Sequence, residues 1–329
     1  MSPTTGSPTT GSPTTGSPAT NWTADQIPDL SGRTLIVTGG NSGLGFETTR
    51  ELARHGARVV LACRSLEKAR AAIAELRIDD PRADVEAMVL DLASLASVRS
   101  FASEFLGRHE ELHGLVNNAG VMALPRCQTV DGFEMQLGTN HFGHFALTGL
   151  LLEPLLATPG SRVVNLSSTM HKAGRIRWGD LHGERSYGKW TAYGQSKLAN
   201  LLFSYELQRR LDAKRAGTIS VACHPGYAAT NLQFAGPRMQ GSSLLEAGAG
   251  LMNRLFAQSA AMGALPSLYA ATAPSVRGGD YFGPGGFAEM WGPPKKVGSS
   301  RRSHVAGDAA KLWEISQNAT GVRFDALER

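Results

Sequence analysis

A doubly wound, parallel α/β sheet with helices on both faces is the fold class that this chain of 329 residues predicts. Three observations lead there. From residue 33 onward, short β-branched apolar runs alternate with stretches of helical periodicity. The runs are continuously apolar rather than alternating with polar residues, the pattern of strands buried on both faces. Right-handed crossovers between successive parallel strands then wind the helices onto both sides of one sheet.

Residues 34–38 (TLIVT) form the first strand, and about 44–55 the helix that follows it. Residues 58–62 (RVVLA) and 66–77 are the next strand and helix, and 85–90 and 95–106 the third pair. Residues 114–116 open a fourth strand that ends in Asn117. A long helical region from about 131 to 157 is interrupted near Gly138 and Gly143. Residues 162–166 (RVVNL) make a fifth strand, 191–211 a helix and 219–223 (ISVAC) a sixth strand. A short helix near 265–273, a strand at 280–282 and a last helix over about 306–316 complete the pattern. Residues 1–30 stand apart. They begin with three copies of Ser-Pro-Thr-Thr-Gly, a composition that cannot bury a core, and so predict a disordered tail and lead-in. Residues 31–329 are left as a single domain with three α/β/α layers.

Composition narrows the function. Hydrophobic content of 42% and charged content of 19% are those of an ordinary soluble globular protein, and a net charge of +5 is mild at this size. The densest basic run, Lys295-Lys296 and Arg301-Arg302, lies among Gly, Pro and Ser without interleaved aromatics. It reads as a solvated loop, and no nucleic-acid partner is expected. Cys63, Cys127 and Cys223 are few and far apart, which suits reduced thiols and neither a disulfide framework nor a metal cluster. His141 and His144 are three apart but lack Cys or acidic partners at ligand spacing, so no metal is expected. No run of about 18 apolar residues exists to span a membrane. The tail has neither the basic nor the apolar region of a secretory signal, and a cytoplasmic location is the expectation.

Unusual residues fall at the predicted carboxyl ends of strands, where such a sheet binds its ligand. After the first strand comes Thr38-Gly39-Gly40-Asn41-Ser42-Gly43-Leu44-Gly45. Glycines there let the backbone approach a pyrophosphate, while the next helix offers free N–H groups and a partial positive charge. The second strand ends in Cys63-Arg64, with Lys68 one helical turn on. These cations suit a 2′-phosphate, where a carboxylate would hold a free ribose 2′-OH, so NADP(H) is favoured over NAD(H). Tyr193 and Lys197, four apart, share one helix face. An ammonium there can lower the phenol's pKa and fit it for proton transfer with an alcohol or carbonyl.

In these residues the chain resembles the short-chain dehydrogenases/reductases in their compact form, with a Rossmann fold. The resemblance spans about residues 31–320. It implies that Thr38 through Gly45 is the cofactor turn, Asp91-Leu92 the adenine contact, and Asn117-Asn118-Ala119-Gly120 a backbone brace that also lines the cofactor. Pro225-Gly226, with Thr230 shortly after, would touch the nicotinamide. Tyr193 would be the general acid/base, and Lys197 would lower the phenol pKa and hold the nicotinamide ribose. Ser168 would hydrogen-bond the substrate oxygen, and Asn140 would position a water linking Lys197 to solvent. The family's habits also imply a homodimer or homotetramer built on helices around 143–157 and 191–211.

Asn118-Ala119-Gly120-Val121-Met122, Asn140-His141-Phe142-Gly143-His144-Phe145 and Gln195-Ser196-Lys197-Leu198-Ala199-Asn200 look most like the retinol dehydrogenase/protochlorophyllide reductase-like branch. Its retinol-using members usually carry a membrane anchor, which this chain lacks, and that weighs against a retinoid. The insert 171–190 carries Trp178, Tyr187 and Trp190 as one wall of an apolar substrate pocket, and 232–263 reads as an apolar lid. The expected activity is NADP(H)-dependent interconversion of an apolar alcohol with its ketone or aldehyde. The alternatives are reduction of an activated C=C bond by the same Tyr and Lys, and NADP(H) binding by a regulator without turnover.

Overall fold

The structure, a computed structural model, describes residues 21–227 and 258–328. Its strands are β1 (Thr34–Thr38), β2 (Arg58–Cys63), β3 (Val85–Val89), β4 (Gly114–Asn117), β5 (Arg162–Leu166), β6 (Ile219–Cys223), β7 (Tyr281–Pro284) and β8 (Pro294–Lys296). They form one sheet in the order β3-β2-β1-β4-β5-β6-β7-β8. All neighbouring pairs are parallel except β7 with β8. Successive side chains of β1 point to opposite faces and are buried from Leu35 onward: Leu35 and Val37 enter one core and Ile36 the other. Burial on both faces is why these runs carry no polar alternation.

On one face lie α1 (Gly43–Arg54), α2 (Leu66–Asp79) and the helix Ala260–Thr272, whose Leu52, Ile73 and Leu268 meet Val37, Val59 and Val221. On the other lie α3 (Leu95–Leu106), a broken helical run and the long helix Lys189–Lys214. Ser65 and Ser94 start α2 and α3 by accepting the backbone N–H groups of Lys68 and Ser97, as N-caps do. The broken run comprises α4 (Met135–Leu137), a π turn (Gly138–Phe142), α5 (Gly143–Leu150) and α6 (Leu152–Ala157). The two expected interruptions are thus a single wide turn, closed by Gly143 N–H on Gly138 O. With α7 for Lys189–Lys214 and α8 for Ala260–Thr272, the remaining long helix is α9 (Ala306–Thr320).

Two expectations are corrected and a third is narrowed. The lead-in 21–30 belongs to the fold: Trp22, Ile27 and Leu30 are buried, and Trp22 meets Tyr269 of α8 edge-on at 5.1 Å. Lys295 and Lys296 lie in an edge strand rather than a solvated loop; Lys296 pairs with Phe282 and its Nζ reaches Asp280 at 2.5 Å. Pro294 sits at that edge, where a missing N–H does no harm. Finally, the helices that the family resemblance assigns to dimerisation are not free along their whole length, because the chain itself covers part of them. Trp313 of α9 stacks on Phe203 at 5.8 Å, and Phe324 packs on Phe145 at 4.9 Å and on Trp313 at 4.4 Å.

Candidate functional site

The strand order reverses between β1 and β4, and a cavity of about 430 Å³ opens there at the strands' carboxyl ends. Of the residues that the sequence reading gives to the cofactor, Gly39, Asn41, Ser42, Gly43, Leu44, Gly45, Arg64, Lys68, Asp91, Leu92, Asn118, Ala119 and Gly120 line it. Val121, Met135, Thr139 and Leu166 line it as well, although the sequence reading gave none of them to the cofactor. A second concavity of about 650 Å³ lies between α2, β3 and α3. It holds none of the candidate residues, and its charges include the surface pair Arg108–Glu104.

Close approach explains the glycine turn. Gly39 has φ +67, and its N–H bonds Ala62 O at 2.7 Å, which turns the chain sharply out of β1. A Cβ on Gly45 would fall on the Gly39 carbonyl and 2.6 Å from Asn118 Nδ2, so α1 can rest on β1 only without one. Asn118 Nδ2 in turn donates to Thr38 O at 2.7 Å, while its buried Oδ1 has no protein partner among the described residues. A backbone cradle, a helix start and a spare buried acceptor fit a dinucleotide phosphate and its attached groups. Asp91 accepts Ala93 N–H at 3.0 Å, so its carboxylate shapes the loop while the residue lines the cavity.

Thr38 ties the cradle to the catalytic side. Its Oγ1 accepts Asn118 N–H and Ala119 N–H, both at 2.9 Å, and lies 3.0 Å from His144 Nε2. His144 Nδ1 bonds the Asn140 carbonyl at 3.0 Å and must donate there, so Nε2 accepts the Thr38 hydroxyl proton. Asn140 is itself locked: Oδ1 accepts Val121 N–H at 2.8 Å, and Nδ2 donates to Val121 O and Ser196 Oγ, each at 2.9 Å. The π turn that carries Asn140 is a feature often found at functional sites.

His141 and His144 are therefore neutral core groups rather than ligands, and no metal-binding group occurs among the described residues. Burial pulls His141 down to about 3, His144 to about 4 and His171 to about 4. Unfolded imidazoles titrate near ~6.5, so below that pH the unfolded chain binds protons that the native state refuses. Stability should fall as pH drops from about 6.5 toward about 4. Urea midpoints at several pH values in that window would test this, and a flat profile would overturn it.

The proposed catalytic groups converge beside the cavity. Ser168, at the end of β5, hydrogen-bonds the buried Tyr193 phenol. Lys197 Nζ lies 5.7 Å from the Tyr193 ring centroid and donates to Leu166 O at 3.1 Å. The net shift of the phenol runs opposite to the lowering expected from the ammonium. Burial pushes Tyr193 up to about 12 against the opposing hydrogen bond from Ser168, and burial brings Lys197 down to about 8. Both groups are inside the protein, where losing water outweighs a charge that is not in direct contact.

Pro225 and Gly226 follow β6. Pro225 O accepts Gln258 Nε2 at 2.7 Å, and Gly226, with φ +67, lies where a Cβ would be 2.5 Å from Met290 O. Thr230 and most of the lid expected over 232–263 lie outside the described residues, although α8 begins at Ala260. The aromatic insert divides. Tyr187 is held inside the protein by bonds to Leu124 O at 2.9 Å and Glu134 at 3.2 Å, and Trp178 lies under Lys311 at 4.6 Å. Trp190 remains half exposed, 6.4 Å edge-on from the Tyr193 ring.

Comparison with known proteins agrees with this geometry. A short chain dehydrogenase family model matches residues 33–239. Retinol dehydrogenase 12 of Mus musculus is 41% identical over 305 residues, covering 91% of this chain and 89% of that protein. Retinol dehydrogenase 13 of Homo sapiens is 45% identical over 304 residues, again covering 91% and 89%. A crystal structure of an uncharacterized protein from Mycobacterium paratuberculosis superposes with a TM-score of 0.77 at 43% identity, covering 93% of this chain and 99% of that one. Among the described residues no helix is long and apolar enough to cross a membrane.

Proposed function

Because the chain belongs to the short-chain dehydrogenases, an oxidoreductase family, and to their retinol dehydrogenase branch, we propose that it interconverts an apolar alcohol and its ketone or aldehyde with NADP(H). The observation that carries this reading is the convergence of Tyr193, Ser168 and Lys197 beside the glycine cradle. Relatives named for retinol act on a long apolar alcohol, which supports an apolar substrate here.

A nicotinamide cofactor supplies or accepts the hydride when bound. The protein's part is the proton and the developing charge. Tyr193, pushed up to about 12, holds its proton at neutral pH and can give it to a carbonyl oxygen. Ser168 donates a hydrogen bond where negative charge grows. Lys197 then favours the resulting phenolate, a charge its position can stabilise only once the proton has left. Asn140 holds Val121 and Ser196 in place, so the backbone beside Gly120 and the turn of α7 that carries Tyr193 keep one register. Incubating the purified protein with NADPH and a panel of apolar aldehydes, ketones and enones tests the reading. Loss of NADPH absorbance with an alcohol as product is expected; saturation of only the C=C bond of an enone, or no turnover on any carbonyl, would reject it.

The cofactor choice rests on Arg64 and Lys68, which line the cavity with no carboxylate at the end of β2. Two charge-assisted bonds to a 2′-phosphate should favour NADPH. Replacing both residues by Ala is expected to weaken NADPH binding about 10- to 100-fold while leaving NADH little changed. Equal losses for the two nucleotides in a calorimetric titration would remove this assignment.

A further inference from the structure

Beside the Tyr193 centre lies a part-buried cluster that the chemistry above does not use. His224 follows β6 and precedes Pro225-Gly226, and its Nδ1 accepts Gly226 N–H at 3.2 Å. An accepting Nδ1 leaves the ring proton on Nε2, which faces Glu289 Oε2 at 3.1 Å. The other Glu289 oxygen accepts Lys172 Nζ at 3.0 Å, and Lys172 closes the 3-10 turn that Ser168 begins. His171 grips the same turn, donating from Nδ1 to Ser168 O at 2.6 Å while Nε2 accepts Ser300 N–H at 3.1 Å. Next to Glu289, Met290 O accepts Tyr227 N–H at 3.0 Å. One carboxylate therefore joins the Ser168 turn, the Gly226 turn and the β7–β8 connection.

The backbone is strained to achieve this. Ala288 and Glu289 have φ +50 and +59, consecutive left-handed positions without glycine. Such residues are unfavourable and persist where surrounding structure over-determines them. The hydrogen bond from His224, with Lys172 adding to it, holds the Glu289 carboxyl down to about 2, so it is ionised throughout the working range.

We infer that Glu289 is a positioning residue for hydride transfer: by clamping His224 and Lys172 it fixes the Gly226 turn, and with it the nicotinamide-facing backbone, against Ser168. The inference rests on the oxidoreductase reading above and adds a residue to it that touches neither reactant.

Glu289→Gln keeps the length of the side chain and removes its charge. With NADPH and a carbonyl that the parent reduces, kcat should fall about 10- to 100-fold, as misplacement of reactants by roughly 1 Å would produce. NADPH affinity should stay near the parent value, because the cavity residues are untouched. Without any cofactor, amide exchange at Gly226 and Tyr227 should accelerate. Lys172→Met, which cuts only the link to the Ser168 turn, serves if the first variant does not fold, and should lower kcat in the same way to a smaller extent. A folded variant that keeps the parent kcat, or that loses NADPH affinity in step with kcat, overturns the proposal. Should the parent reduce no carbonyl, the oxidoreductase reading fails on its own, and the exchange experiment still decides whether Glu289 holds the Gly226 turn: unchanged protection overturns it.

Discussion

Tyr193→Phe should lower turnover about 10²- to 10⁴-fold, the contribution of a positioned general acid or base, while NADPH still binds. The substitution deletes one oxygen and keeps the ring that Trp190 meets edge-on at 6.4 Å, so packing around the centre survives. The phenol is lost as proton donor, and Ser168 and Lys197 have no proton path of matching position. Lys197 gives its bond to Leu166 O, and Ser168 can only stabilise charge. Steady-state rates alongside an NADPH titration would separate chemistry from binding. A variant that turned over like the parent would remove Tyr193 from the mechanism.

Gly45→Ala should have the largest effect on the cofactor cradle. The added methyl falls on the Gly39 carbonyl and within 2.6 Å of Asn118 Nδ2, and neither can swing aside. Either α1 lifts from β1 or the 2.7 Å bond from Asn118 to Thr38 O breaks. Overpacking costs about 1–3 kcal/mol and a buried unmet polar group about 1–3 kcal/mol more. At about 2–4 °C per kcal/mol for a large domain, melting should drop by several degrees, and NADPH binding should be lost with it. Gly298→Ala is the control, because nothing lies within 4 Å of a Cβ there. Equal melting temperatures for the two variants would show that the close approach is not needed.

The sheet and its cavity were legible because their signals are local. Five-residue apolar runs, a glycine turn and the Asn118-Ala119-Gly120 segment each declare themselves within one stretch of chain. What the sequence hid depends on partners far away. Trp22 looks like part of a polar lead-in until Tyr269 is seen against it. Tyr187 and Trp178 resemble pocket aromatics, and spacing could not report that Glu134 and Lys311 are their partners. Helix spacing alone suggested that Lys197 would lower Tyr193, but burial of both, which spacing cannot report, dominates each group. Glu289 gave no signal at all: its role depends on a strained loop that brings it to His224 and Lys172, both distant in the chain.

The packing of Phe145, Phe203, Trp313 and Phe324 has a consequence for how the protein is made. Synthesis runs from the amino terminus, and segments fold as their contacts emerge. Phe145 and Phe203 pack on each other and on His141, and residues 313–324 add Trp313 and Phe324 to that cluster. Until that stretch leaves the ribosome, one face of the sheet keeps an aromatic surface open to water and to other nascent chains. Contacts spanning so much sequence also close slowly, since a long loop must be ordered first. A chain interrupted before Trp313 would therefore lack two of the rings that close this cluster, although every residue of the cofactor cradle would already be present.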